Sequence, residues 1–111
     1  MSISTKLKER SLVVKISGDI DHHLAEAVRD RIDRDYVKHN AKNIIFDFSK
    51  VKFMDSSGIG MVIGRFKNAK KQGGNVMIAA VNPEIERIFI ISGLHKIIKL
   101  YDSVDNACRY S

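Results

Sequence analysis

The 111-residue sequence predicts a single α/β domain built on a mixed, mostly parallel β-sheet. Short apolar runs with strand-like alternation recur along the chain, and stretches with helical periodicity separate them. Because strands that alternate with helices pair in parallel through right-handed crossovers, this order predicts four to five strands with about four helices packed on them. The sequence has no internal repeat and no linker, so we expect one domain over residues 1–111.

The first half of the chain is expected to hold two or three strands and one long helix. "SLVVKIS", at 11–17, alternates apolar and polar residues, and the weaker "ISTKLK" before it could be its partner strand. Apolar residues then recur every four positions, which predicts an amphipathic helix from His22 to about Asn40. "NIIFDFS", at 43–49, is expected to form the next strand.

The second half repeats this alternation. A helix is expected from Ser56 to "KKQGG", whose lysines and glycines are typical of a helix end. "NVMIAAV", at 75–81, reads as a fully buried strand. Asn82 and Pro83 predict the start of a third helix that Gly93 stops. "KIIKLY" and "SVDNACRY" then predict a short strand and a short terminal helix.

Composition narrows the class of protein. The 44% hydrophobic content predicts a folded core, and the 29% charged content argues against disorder. No apolar run reaches the roughly 20 residues of a membrane span, and the first residues do not resemble a secretion signal, so we expect a cytoplasmic protein without a membrane partner. Cys108 is the only cysteine, which excludes an internal disulfide.

The chain is basic, with a formal charge of +6 and a pI near 9.6. Its lysines and arginines are spread along the sequence rather than interleaved with exposed aromatic residues, so we expect no direct nucleic-acid partner. The charge instead favours solvated helix faces or an acidic protein partner, whose association would then depend on salt.

The stretch "FMDSSGIG", at 53–60, places an acid, two hydroxyls and two glycines between a predicted strand and a predicted helix. It lacks the glycine spacing of a hydrolase nucleophile elbow and of a P-loop. Simple capping of the helix by Asp55, Ser56 or Ser57 is possible, but one residue would suffice for it. A phosphorylatable serine fits the position well, because a helix amino terminus accommodates a phosphate. These residues alone do not choose between Ser56 and Ser57.

A second polar turn, "DIDHH" at 19–23, also follows a predicted strand, so the two turns could be neighbours at the carboxyl edge of the sheet. Adjacent histidines are poor joint metal ligands, and we expect no metal site there. His39 and His95 are expected to be ordinary surface or boundary residues.

Four segments together resemble the anti-sigma factor antagonists of the STAS domain family, most closely the sporulation type: "GDIDHH", "FMDSSGIG", "GRFKNAKKQGG" and "FIISGLHKIIKLY". The resemblance covers nearly the whole chain in order and spacing. It implies a STAS fold and a protein that is not an enzyme, has no cofactor, and is a monomer when free. It also implies two partners: an anti-sigma factor that is a serine kinase with bound nucleotide, and a serine phosphatase.

By the same resemblance, the kinase phosphorylates Ser56 and thereby switches binding off. The implied partner-binding surface combines residues of both turns: Asp21, His22, His23, Asp55, Ser56, Ser57, Gly58, Ile59 and Gly60. Gly58 is expected to let the partner approach the backbone. Two other functions stay open: another STAS regulator, such as a stress-response antagonist or a stressosome-like scaffold subunit, and a small enzyme or nucleotide-binding protein using Asp21, His23 and Ser56.

Overall fold

The computed structural model describes residues 2–111 and contains one five-stranded β-sheet with four α-helices. The strands, which pair in chain order, are β1 (Ser2–Lys8), β2 (Ser11–Ser17), β3 (Asn43–Lys50), β4 (Val76–Ala79) and β5 (Lys99–Tyr101). The helices are α1 (His22–Lys38), α2 (Ser56–Lys71), α3 (Pro83–Ile91) and α4 (Val104–Arg109). β1 is antiparallel to β2 and the other pairs are parallel, which confirms the predicted mixed sheet.

The core lies on both faces of the sheet. On one face, α1, α2 and α3 cover side chains such as Leu12, Phe46 and Phe48, all fully buried. On the other face, α4 covers Ile45 and Met77. The central strands are therefore apolar on both sides, which explains why β4 lacks alternation. Among residues 2–111, no helix is long and apolar enough to cross a membrane.

Several element boundaries differ from the sequence-based expectation. β4 ends at Ala79 rather than residue 81, because Ala80 takes the left-handed conformation with φ +63°. β5 begins at Lys99 rather than residue 96, because Leu94–Lys96 form one turn of 3-10 helix. α1 ends at Lys38, just before the left-handed Asn40.

The parallel register of β2 to β5 gives the domain two distinct edges. The strands begin together at what we term the amino edge, formed by the loops 9–10, 39–42, 72–75 and 92–98. They end at the carboxyl edge, formed by the loops 18–21, 51–55, 80–82 and 102–103. Because α1, α2 and α3 run back from the carboxyl edge to the amino edge, their amino termini all lie at the carboxyl edge.

A buried carboxylate fastens the edge strand β1 to α1. Asp35 accepts a hydrogen bond of 2.6 Å from the Thr5 hydroxyl and one of 2.8 Å from Nε of Arg31. Its side chain is only 8% exposed. The hydrogen bonds from Thr5 and Arg31 outweigh the effect of burial and lower the pKa of Asp35 to about 2.

We expect Asp35 to make the fold sensitive to acid. Its pKa is lower in the folded state than the ordinary value of 3.8, so its stabilisation is present above about pH 4 and is lost as the pH falls through about 2. Asp35→Asn should lower the free energy of unfolding at neutral pH by about 2 kcal/mol and flatten its decline below pH 4. Urea unfolding at a series of pH values measures both effects.

The exposed Asp30, in the same helix, provides the control. Asp30→Asn should leave the acid dependence of unfolding as it is in the wild type. An equally steep decline below pH 4 in Asp35→Asn would contradict the role assigned to this carboxylate.

Candidate partner-binding site

The two polar turns lie side by side at the carboxyl edge. Backbone pairing of β2 with β3 continues past the strand ends: Ile20 N–H donates to the Phe53 carbonyl at 2.9 Å, and Asp55 N–H donates to the Ile20 carbonyl at 3.2 Å. Ile20 and Met54 form an isolated parallel bridge between these bonds, and both side chains are buried. This ladder fixes the start of α1 against the start of α2, and it confirms that the turns are neighbours.

The helices α1 and α2 each begin with an aspartate cap. Asp21 accepts a hydrogen bond of 2.9 Å from Leu24 N–H, and Asp55 accepts one of 2.8 Å from Ser57 N–H. Both caps have extended backbones, with φ of −96° and −95°. Since these carboxylates satisfy free amide groups at the helix starts, the neighbouring hydroxyls are not needed as caps.

Ser56 and Ser57 differ in exposure. Ser56 is the first residue of α2 and its side chain is exposed, whereas Ser57 is half-buried and lines a groove between α1 and α2. Neither hydroxyl makes a hydrogen bond to another atom of residues 2–111. Ser56 is therefore the more exposed of the two serines.

Gly58 faces the interior. It is buried, and a Cβ atom built on it would lie 2.2 Å from Cγ of Met54 and 3.1 Å from Cγ2 of Ile20. The packing of Met54 and Ile20 therefore favours glycine at this position, which the sequence alone does not reveal. Whether Gly58 also helps a partner approach stays a prediction. Gly60, by contrast, is exposed and a Cβ there would meet nothing.

The remaining residues of the predicted surface are unevenly accessible. His22 and His23 are exposed, with ring centroids 5.9 Å apart, while Ile59 is half-buried and packs against the core. In the part of the chain from residue 2 onward, no group of three His, Cys, Asp or Glu side chains could hold a metal ion. Phe53, 51% exposed beside Met54, extends the accessible surface and was missed because a lone aromatic residue in a turn has no pattern.

The groove beside Ser57 has a volume of about 250 Å³ and is lined by residues of both helices: His22, Ala25, Glu26, Arg29, Ser57, Gly60, Met61 and Arg65. At its base, Nε of Arg65 lies 3.0 Å from Oδ1 of Asp33 in α1. The Arg65 side chain is 12% exposed, and burial lowers its pKa while the charge of Asp33 opposes that change. This ion pair links the two helices behind the site.

The edge of the sheet that holds Ser56 carries several carboxylates although the whole chain is basic. The carboxyl edge and the first turn of α3 carry carboxylates on nearly every connection: Asp19, Asp21, Asp55, Glu84, Glu86 and Asp102. Cations lie near them as well: Lys50 and Lys52 flank the end of β3, Arg87 follows Glu86, and Arg29 and Arg65 line the groove beside Ser57. The net charge of +6 had suggested an acidic partner, but the local charges at this site suit a basic one.

Comparison with known proteins assigns the family. Residues 2–107 match the STAS domain family, and the chain belongs to that family. A relative from Paenibacillus polymyxa, named anti-sigma F factor antagonist, is 38% identical over 96 residues, which cover 86% of this chain and 82% of the relative. The anti-sigma-B factor antagonist of Bacillus subtilis is 30% identical over 100 residues, covering 90% of each chain.

A solved structure has the same fold along its whole length. The Bacillus cell fate determinant SpoIIAA, in its phosphorylated form, matches with a TM-score of 0.77 at 25% identity, and the match covers 99% of this chain and 100% of that one. The predicted STAS fold and the predicted family are thereby confirmed.

We expect Gly58 to contribute to stability through the packing of Met54 against it. Gly58→Ala should lower the free energy of unfolding by about 1–3 kcal/mol, because the added methyl group forces Met54 from its place under the bridge to Ile20. Gly64→Ala, in the same helix but with nothing within 4 Å of the added Cβ, should raise it by up to about 1 kcal/mol. Denaturant unfolding of the two variants gives the comparison. Equal effects of the two substitutions would refute the packing role of Gly58.

Proposed function

We propose that this protein is an anti-sigma factor antagonist of the sporulation type, controlled by phosphorylation of Ser56. Its unphosphorylated form binds an anti-sigma factor that is also a serine kinase with bound nucleotide, and the bound sigma factor is released. Phosphorylation ends the binding, and a serine phosphatase restores it. The names of the relatives support the class of function. The observation that carries the proposal is the exposed Ser56 hydroxyl on the first turn of α2.

Phosphoryl transfer requires of this chain only that it position the Ser56 hydroxyl. Ser56 Oγ forms a bond to the γ-phosphorus of ATP while the bond from that phosphorus to the β–γ bridging oxygen breaks and ADP leaves. The hydroxyl proton passes to a base of the kinase. The contribution of this protein is to hold Oγ at the end of a rigid helix, and the Asp55 cap and the Ile20–Met54 bridge fix the first turn that carries it.

A phosphate at Ser56 would change the surface more than the fold. The amino terminus of α2 favours a negative group through its dipole, by up to about 1 kcal/mol at an exposed site. Asp21 and Asp55, which cap the two helices here, oppose it by repulsion. Because the side chain is exposed and the core behind it is closed by Met54, neither effect disturbs internal packing. A partner that covers Ser56 must instead desolvate a dianion, which costs binding affinity.

The acidic carboxyl edge defines the complementary surface. A kinase that docks on Asp21 and Ser56 should present lysines or arginines to this edge, so salt should slow its association. An acidic partner, which the net charge of the chain favours, is the alternative.

A stress-response antagonist is the second candidate function, supported by the relative named anti-sigma-B factor antagonist. The sporulation type is favoured because the anti-sigma F relative is the more similar of the two, at 38% against 30% identity. Binding to one kinase of each type would separate the two functions.

The phosphorylation site can be tested with purified anti-sigma F kinase and labelled ATP. The wild type and Ser57→Ala should incorporate label, and Ser56→Ala should not. Mass spectrometry then locates the phosphate. Label that persists in Ser56→Ala and disappears in Ser57→Ala would reassign the acceptor to the half-buried hydroxyl.

The binding switch is tested by a pair of substitutions of equal size. Ser56→Asp adds a carboxylate and should weaken binding to the kinase at least about tenfold, whereas Ser56→Asn adds a neutral group of the same shape and should weaken it much less. Calorimetry or surface plasmon resonance measures both. If the two variants bind alike, charge at this position does not control docking.

A further inference from the structure

The amino edge, at the far end of the strands from Ser56, carries a concentration of positive charge. Its loops and the helix turns that end there supply Arg10, Lys38, Lys42, Lys70, Lys71 and Lys96. Glu9 is the acidic side chain of the loops 9–10, 39–42, 72–75 and 92–98. The length of β3 alone separates this edge from Ser56 by about 25 Å. Six of the 19 lysines and arginines of the chain thus lie at this edge, against one carboxylate in its loops.

Three of these cations surround a cavity whose backbone is held by hydrogen bonds. Arg10, Lys42 and Lys70 line a cavity of about 380 Å³ together with Glu9 and Ser111. The Lys42 carbonyl accepts a hydrogen bond of 2.6 Å from the Tyr36 hydroxyl, and Lys42 N–H donates to the Arg10 carbonyl at 2.8 Å. These cations are therefore presented by an ordered loop.

Exposed isoleucines stand beside the cations. Ile91 ends α3 with 79% of its surface exposed, and Ile97, next to Lys96, is 51% exposed. Ile98 N–H bonds to the Leu94 carbonyl at 3.0 Å, so this segment is folded back compactly just before β5 enters the sheet. Lys96 and Ile97 thus place a cationic and an aliphatic side chain side by side in the chain, a pair that can contact an apolar phase bordered by negative charge.

We propose that the amino edge docks reversibly on an anionic lipid surface. The lysines and Arg10 face the phosphate headgroups, and Ile91 and Ile97 enter the boundary with the acyl chains. A bilayer offers phosphates for the cations and acyl chains for the isoleucines over a broad area. A nucleic acid offers phosphates but no aliphatic phase. This contact requires no membrane-spanning helix, and it departs from the sequence-based expectation of a protein without a membrane partner. It leaves Ser56 on the opposite side, accessible to a partner while the protein is docked.

Sedimentation with vesicles tests the docking. The wild type should bind vesicles of phosphatidylcholine with phosphatidylglycerol and should not bind phosphatidylcholine alone. Raising the salt to about 0.5 M, where screening acts over about 4 Å, should release it. Lys71→Glu with Lys96→Glu should weaken binding at least about twentyfold, since each cation near such a surface contributes about fivefold. Ile97→Ser should weaken it about tenfold.

A matched charge reversal at the other edge provides the control. Lys50→Glu with Lys52→Glu changes the net charge equally and should leave vesicle binding within about twofold of the wild type. The proposal fails if anionic vesicles do not bind the wild type, if both double variants lose binding equally, or if duplex DNA or polyglutamate binds while vesicles do not. Kinase labelling of the Lys71→Glu, Lys96→Glu variant should match the wild type, so this outcome is independent of the phosphorylation switch.

Discussion

The pairing of Ile20 with Met54 is the contact on which the rest of the site depends. It continues the parallel pairing of β2 and β3 into the two loops that follow them, and so holds these loops together. Because the bridge is buried and Gly58 leaves room for Met54, the starts of α1 and α2 are held as one unit. Every polar group of the candidate site, from Asp21 to Ser57, takes its position from this small apolar contact beneath it.

The architecture was largely predictable from the sequence, because the spacing of apolar residues indicates which faces of a helix or strand are buried. The alternation in β2, the unbroken apolar run of β4 and the four-residue spacing in α1 each correspond to how many faces the element buries. The errors lie where backbone conformation overrides side-chain pattern. Ala80 and Asn40 adopt positive φ without being glycine, and "KIIKLY" begins in a helical turn although its composition favours a strand.

The polar residues of the candidate site were predictable from the sequence, but the packing beneath them was not. The aspartate caps and the exposed serine follow from residue types at a strand-to-helix turn, and proximity of the turns follows from parallel topology. The greater exposure of Ser56 than of Ser57 depends on which side of α2 each residue faces, which the sequence alone leaves open. The inward orientation of Gly58 depends on Met54 and Ile20, which are distant from each other in the chain.

The directionality of the crossovers also determines where charge accumulates. In a parallel sheet the helices start at one edge and end at the other, so residues that complement their termini sort themselves into opposite poles. In this chain Asp21 and Asp55 cap α1 and α2 at one edge and Lys38, Lys70 and Lys71 lie in their last turns at the other, so these charges form an electric moment along the strands. An approaching macromolecule experiences that moment as a torque before contact, and a phosphoryl group on Ser56 would lengthen the vector rather than reverse it. Substitutions of charged residues in the loops can therefore change how the protein is oriented when it meets a partner, without changing its isoelectric point.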